Sequence, residues 1–380
     1  MSAERLLLGP GPSPVSPRVM SALSRPVLSH LDPDLMVMMD DVRSRLQRVF
    51  GAAEGAVSFA VSGTGTAGME TAVANTVQPD ARAVVVVNGY FGDRLAGLLE
   101  SYGARVTRVN GAWGHACDPA AVEAALETGR VDILGVVHAE TSTGVLNPVQ
   151  DVLALARNAG ALTLVDAVTS LGGIPLRTGD WGVDVCYSCS QKGLGAPSGL
   201  APISFSPRAR SIAVPSRSFY FDRALLEQYW LQRKYHHTIS APLIYALREA
   251  LIVIEEEGLD ARWTRHEKNH LALVAGLEAL GLELLPGPAD RLWTLNAIRV
   301  PQGVDEAAVR RRLLEAFNIE IGAGLGPLAG RIWRVGLMGS GSTMENVRLF
   351  LGALEEVLRA AGYRVAGRGA AVAAAESANN

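Results

Sequence analysis

The sequence predicts an α/β fold in which a mainly parallel sheet is covered by helices and followed by a smaller α+β domain. Three observations predict it. Apolar, β-branched runs alternate with helical stretches over the first part of the chain, which implies βαβ units. The pattern changes after about residue 240 to long helices and short strands. Across 380 residues, 48% are hydrophobic and 19% charged, enough apolar side chain for more than one core.

Each element follows from local pattern. The opening Gly9-Pro10-Gly11-Pro12-Ser13-Pro14, with Pro17, removes backbone donors and predicts an irregular arm over residues 1–20, not a helix, lying over the body or a partner subunit. From about residue 35, Leu35, Met38, Met39, Val42, Leu46 and Val49 share one helical face. Strands are expected at 56–60, 83–88, 131–138, 161–166, 183–190 and 200–205, and helices at 119–126 and 149–159. These belong to a large domain over 21–257. A small domain over 258–365 carries a helix at 263–280, strands near 292–299 and 331–336, and helices at 305–317 and 344–361. Another long helix, at 243–257, closes the large domain. The alanine-rich end, 366–380, lacks aromatic residues and is expected to be a disordered tail.

Composition excludes several classes. A net charge of −3 gives no reason to expect nucleic acid or an anionic membrane surface as partner. No charged head precedes an apolar stretch at the N-terminus, and no run of 18 apolar residues occurs, so a cytoplasmic protein is expected. Cys186 and Cys189 form a C-x-x-C, yet no second pair completes a metal site. They are expected as small residues on a buried strand, with no metal.

Four segments carry chemistry. In Ser190-Gln191-Lys192-Gly193, an apolar strand ends in a lysine followed by glycines. Schiff-base chemistry needs such a lysine, desolvated enough to be neutral and nucleophilic, although a surface lysine at a strand end is the plainer alternative. In Leu164-Val165-Asp166, a strand runs into a carboxylate, where ligands of open α/β sheets bind. An ionised Asp166 there can pair with the protonated pyridine nitrogen of pyridoxal phosphate; an Asp that merely caps the following loop is the alternative. In Ser62-Gly63-Thr64-Gly65-Thr66, a glycine-rich turn opens a helix and offers N–H groups to a phosphate. Gly63, Gly65 and Gly68 also match G-x-G-x-x-G, which raises an NAD-dependent oxidoreductase as a rival from another class; it predicts a carboxylate at the end of the next strand, where Asn88-Gly89 stands instead. Phe91, after the strand at 83–88, can stack on a flat cofactor or simply fill the core.

These residues, with Leu6-Leu7-Leu8-Gly9-Pro10-Gly11-Pro12, Thr141-Ser142-Thr143-Gly144, Tyr235-His236-His237-Thr238 and Arg334-Val335-Gly336, resemble the class V (fold type I) pyridoxal-phosphate aminotransferases. Within them, the likeness is to the alanine–glyoxylate and serine–glyoxylate (serine–pyruvate) group, and it runs in order from near residue 6 to near residue 360. The resemblance implies fold type I, with a seven-stranded-type sheet. It implies that Lys192 holds the cofactor and shuttles a proton, and that Asp166 pairs with the ring nitrogen. Thr64, Gly65, Thr66 and Gln191 would hold the phosphate, and Thr141 would contact the 3′ oxygen. Tyr235 and Thr238 would reach the neighbouring subunit's cofactor in a homodimer. Arg334 would bind the substrate carboxylate, and the arm around Gly11 would narrow the pocket. Phe91, Thr66 and Thr141 stand where better-known members have tryptophan, histidine and serine.

The function expected is ping-pong transfer of an amino group from a small L-amino acid, alanine or serine, to glyoxylate or pyruvate. A different donor, such as aspartate, pyridoxamine or another amine, is the alternative within the family. No cysteine stands at a motif position to act as a desulfurase nucleophile.

Overall fold

The computed structural model describes residues 5–212, 214–365 and 367–379. Runs such as Ala83-Val84-Val85-Val86-Val87 are β-branched and apolar on both faces, so they form strands buried from both sides. Seven strands make the main sheet: β1 (Val57–Ser62), β2 (Arg82–Val87), β3 (Arg105–Asn110), β4 (Ile133–Val137), β5 (Leu162–Asp166), β6 (Val185–Tyr187) and β7 (Leu200–Phe205). Their order is β1-β7-β6-β5-β4-β2-β3. β6, β5, β4, β2 and β3 are mutually parallel, while β7 runs antiparallel to both of its neighbours. The parallel strands therefore deliver their carboxyl ends to one edge, and the site sits there.

β3 had no counterpart among the expected strands. It is an edge strand, and Arg105, Arg108 and Asn110 interrupt its apolar pattern. The helix predicted near residue 35 is Pro33–Val49; Asp32 caps it by accepting from the Asp34 N–H, and Pro33 sits where the missing donor costs nothing.

Two large hydrophobic clusters form, beside two small ones around Leu295 and Ile332. One extends from Val19 to Ile254 around the large sheet. The other joins Leu8 to residues between Ala272 and Ala375. Between them, Gly258 turns the chain from helix Ala241–Glu257 into helix Leu259–Ala279 at φ +81°, a conformation glycine adopts without penalty. The second cluster covers an antiparallel sheet in which Ile332–Gly336 lies between Leu295–Arg299 and Gly322–Ala323. No helix among the described residues is long and apolar enough to cross a membrane.

Two expectations need correction. The arm over 1–20 is not wholly irregular: Leu6–Leu7 pairs in parallel with Ile319–Glu320 at the second hydrophobic cluster, and Pro17–Ala22 is helical with Ser16 as its cap. Pro17 marks a helix start because its lost N–H is one a first turn leaves unbonded anyway. The end of the chain is not a disordered tail, since Ala370–Asn379 is a helix packed on Leu259–Ala279. Ala371 and Ala375 are fully buried, and a Cβ on Gly276 would lie 2.9 Å from the Ala371 carbonyl oxygen. Close backbone approach between small residues replaces the aromatic contacts whose absence suggested disorder.

Candidate active site

β1 exits into Gly63, whose φ of +146° and proximity to Ala67 (2.4 Å from an added Cβ) admit no side chain. The chain then enters helix Gly65–Ala74. Thr64 is its N-cap residue but makes no side-chain capping bond; the Ala67 and Gly68 N–H groups go to its carbonyl, and its hydroxyl with the Gly65 and Thr66 N–H groups is available to an anion. A Cβ on Gly65 would lie 2.9 Å from Val168 Cγ2, which keeps the backbone accessible there. β5 ends at Asp166, and β6 leads to Gln191 and Lys192. Thr64, Gly65, Thr66, Phe91, Thr141, Asp166, Gln191, Lys192 and Gly11 line one cavity of about 210 Å³. A larger hollow of about 740 Å³ lies at the opposite edge of the sheet, near Arg82, Asp132 and Leu162. Its ionic side chains are taken up in pairs such as Arg130–Asp132 and Arg208–Asp184, and it gathers no convergent chemistry.

Asp166 is 3% exposed, and burial pushes its carboxyl up to about 7 from an ordinary 3.8, with the Val168 N–H (2.8 Å from Oδ1) pulling the other way. A raised carboxyl keeps its proton in the folded chain while the unfolded chain has lost it. Asp166 therefore lowers stability progressively as pH rises from about 4 to about 7, by roughly 4 kcal/mol in all. Cofactor-free Asp166→Asn is expected to be more stable than the wild type at pH 7 and to lose that advantage by pH 4. Denaturant melts of both at several pH values test this; a difference that does not change with pH would refute it.

Lys192 is held below its ordinary range, first by burial and then by the charge of Arg334. Its Nζ donates to the Pro10 carbonyl, while Ser13 Oγ donates to the Lys192 carbonyl at 2.9 Å. A Cβ on Gly11 (φ +108°) would lie 2.4 Å from Lys192 Cδ, so only glycine fits where the arm crosses the lysine. From the other side, buried Arg262 donates to the carbonyls of Gly172 and Gly193 at 2.8 Å each and ties down the loop after Lys192.

Arg334, on strand Ile332–Gly336, is buried beside the cavity without lining it. It donates to the carbonyls of Ala323 (2.7 Å) and Thr141 (3.3 Å). Burial pulls it down to about 10 and the charge of Glu140 opposes this, which leaves a cation at neutral pH. Tyr235 and Thr238 do not reach this cavity: both are exposed, Tyr235 at 58%, on either side of buried His236 and His237. Cys186 and Cys189 are buried free thiols.

Three residues escaped the sequence reading. Arg94 lines the cavity, lies 5.2 Å over the Phe91 ring and donates to Thr66 Oγ1 at 3.3 Å. Arg262 is the second. Glu140 is the third, a fully buried carboxylate that ends the short strand Ala139–Glu140, and the criterion that singled out Asp166 would have found it.

The sequence model of the class V aminotransferases matches residues 10–337. The chain belongs to that family. A solved alanine–glyoxylate aminotransferase from Nostoc sp. is similar to it at 47% identity and TM-score 0.92, covering 94% of this chain and 96% of that one. A solved ureidoglycine–glyoxylate aminotransferase from Bacillus subtilis superposes at TM-score 0.96 with 35% identity, over 100% and 98% of the two chains. The alanine–glyoxylate aminotransferase of Drosophila melanogaster is 37% identical, over 93% of this chain and 92% of its own. This class V aminotransferase thus shares its central, mostly parallel sheet and helical cover with them. The rival dinucleotide reading of Gly63–Gly65–Gly68 fails on topology as well: β1 lies at the sheet edge, its neighbour is antiparallel, and β2, which follows the turn helix, is four strands removed from β7.

Proposed function

We propose that this class V aminotransferase holds pyridoxal phosphate on Lys192 and transfers the amino group of a small L-amino acid, alanine or serine, to glyoxylate. The observation that carries the reading is the convergence of Lys192, Asp166 and the uncapped helix start at Thr64 on one cavity, with Arg334 beside it. The residues fit the cofactor. The turn can take a phosphate, Asp166 can ionise against a ring cation, and the buried Gln191 Oε1 has no partner among the described residues. Relatives named for different donors, alanine and ureidoglycine, share glyoxylate in their names, which supports that acceptor.

The cofactor, when bound, supplies an electron sink for charge developing at the substrate α-carbon. This chain's residues do the rest. Lys192 Nζ, partly desolvated, takes and returns the α-proton. Asp166 keeps the ring nitrogen protonated. The helix start and the Thr64 and Thr66 hydroxyls hold the phosphate. Phe91 would cover the cofactor ring, and Thr141 would offer its hydroxyl to the 3′ oxygen, both lining the same cavity. Arg334 would offer the guanidinium donors left free by the Ala323 and Thr141 carbonyls to the substrate carboxylate, a group a planar fork can grip at two points. The arm at Gly11 leaves room for small side chains alone. A homodimer completes the site with Tyr235 and Thr238; exposed Phe219 (71%) and Tyr220 beside them supply apolar surface for such contact.

The first test is a visible spectrum of the protein with pyridoxal phosphate. The expected band bleaches with L-alanine or L-serine and returns with glyoxylate. A protein that takes up no cofactor overturns the proposal. Replacing Arg334 with alanine is expected to raise the donor KM by about 10- to 100-fold through loss of a charged bidentate contact. A donor half-reaction indifferent to that change would instead indicate a donor without a carboxylate.

A further inference from the structure

Glu140 is fully buried between the cavity-lining residues Ala139 and Thr141, yet no step above uses it. Helix Tyr90–Ser101 starts at Gly89, which has no side chain with which to cap it. Its first donors are satisfied from across the sheet. The Tyr90 N–H goes to Ser142 Oγ at 2.9 Å, and the Phe91 and Gly92 N–H groups go to Glu140 Oε2 at 3.1 Å each. Glu140 Oε1 accepts from the Ser142 N–H (3.1 Å) and hydroxyl (2.6 Å). Burial pushes the Glu140 carboxyl up, and the Ser142, Gly92 and Phe91 donors, with the helix dipole, act in the other direction. The approach is close: a Cβ on Gly89 would lie 2.3 Å from Glu140 Cγ.

The backbone next to Glu140 meets Arg334. Thr141 follows Glu140 directly and accepts from Arg334 Nη1 through its carbonyl. The charge of Glu140 also favours the Arg334 cation. One carboxylate thus holds the backbone of the ring-covering Phe91 and, through the next residue, the frame of Arg334.

We propose that Glu140 is a positioning residue that locks Phe91 and Arg334 into one rigid unit, setting cofactor affinity and substrate-carboxylate binding together. The proposal rests on the function argued above. Glu140→Gln keeps the size but exchanges one acceptor for a donor and removes the charge, so either the Phe91 and Gly92 donors or the Ser142 N–H meets an N–H group. Cofactor affinity, read by fluorescence quenching, is expected to fall about tenfold, and donor KM to rise about tenfold, with kcat within about threefold. A merely structural role would lower the melting temperature and the folded fraction without moving KM or cofactor affinity of the folded protein. If the wild type takes up no cofactor, the function fails and this inference with it. If the wild type binds cofactor and E140Q matches it in both constants, the inference alone fails. If E140Q does not fold, Ser142→Ala decides. It keeps the charge but strips the Tyr90 N–H of its acceptor, and about a threefold loss of cofactor affinity is expected. An unchanged affinity there overturns the proposal.

Discussion

Lys192→Ala is expected to lower kcat/KM by about 10⁴-fold or more, because under the proposed function the same nitrogen both anchors the cofactor and moves the α-proton. The buried position of Lys192, its depressed ammonium and its place in the cavity with Asp166 motivate the size of the effect. Single-turnover kinetics with L-alanine measure it. A variant that retains more than about a hundredth of wild-type turnover would show that another group carries the proton. The fold should survive, since Lys192 packs mainly against the arm and its amine is held only by the Pro10 carbonyl.

Asp166→Asn is the second large effect. A buried charge pair broken on one side costs about 3–5 kcal/mol, so kcat should fall roughly 10²- to 10⁴-fold. The cofactor-free form of the same variant is expected to be the more stable protein near neutral pH, for the reason given with the Asp166 titration. One substitution would thus move activity and stability in opposite directions, as expected of a group whose burial is tolerated for its chemistry. A steady-state assay beside the melts measures both, and a variant with unaltered kcat would remove Asp166 from the ring nitrogen.

The carboxyl-edge residues were legible because their signal is local. Val165-Asp166 and Gln191-Lys192 each show a polar group at the end of an apolar run, and a parallel sheet brings such ends together. Glu140 meets the same condition, but its use depends on Gly89 and the helix after it, some fifty residues away, and no spacing announces that approach. Arg94 was hidden for a similar reason, since nothing in Phe91-Gly92-Asp93-Arg94 says that the guanidinium folds back over the ring. The terminal helix was misread because alanine signals little when its partner is a glycine on another helix. Edge strand β3 shows how exposure on one side dilutes the pattern that buried strands display.

The pairing of Leu6–Leu7 with Ile319–Glu320 bears on how the chain is made. Leu8 belongs to the second hydrophobic cluster, and the backbone of Leu8 and Glu320 is joined by a hydrogen bond of 2.9 Å. None of these contacts can exist until the ribosome has passed residue 320. The large sheet is complete in sequence by Phe205 and can condense far earlier. The residues synthesised first are thus among the last to find their place, and with them comes the Pro10 carbonyl over Lys192. Ser13 can already tie the arm to Gln191 and Lys192, but the arm's outer end is pinned only after residue 320 has been made.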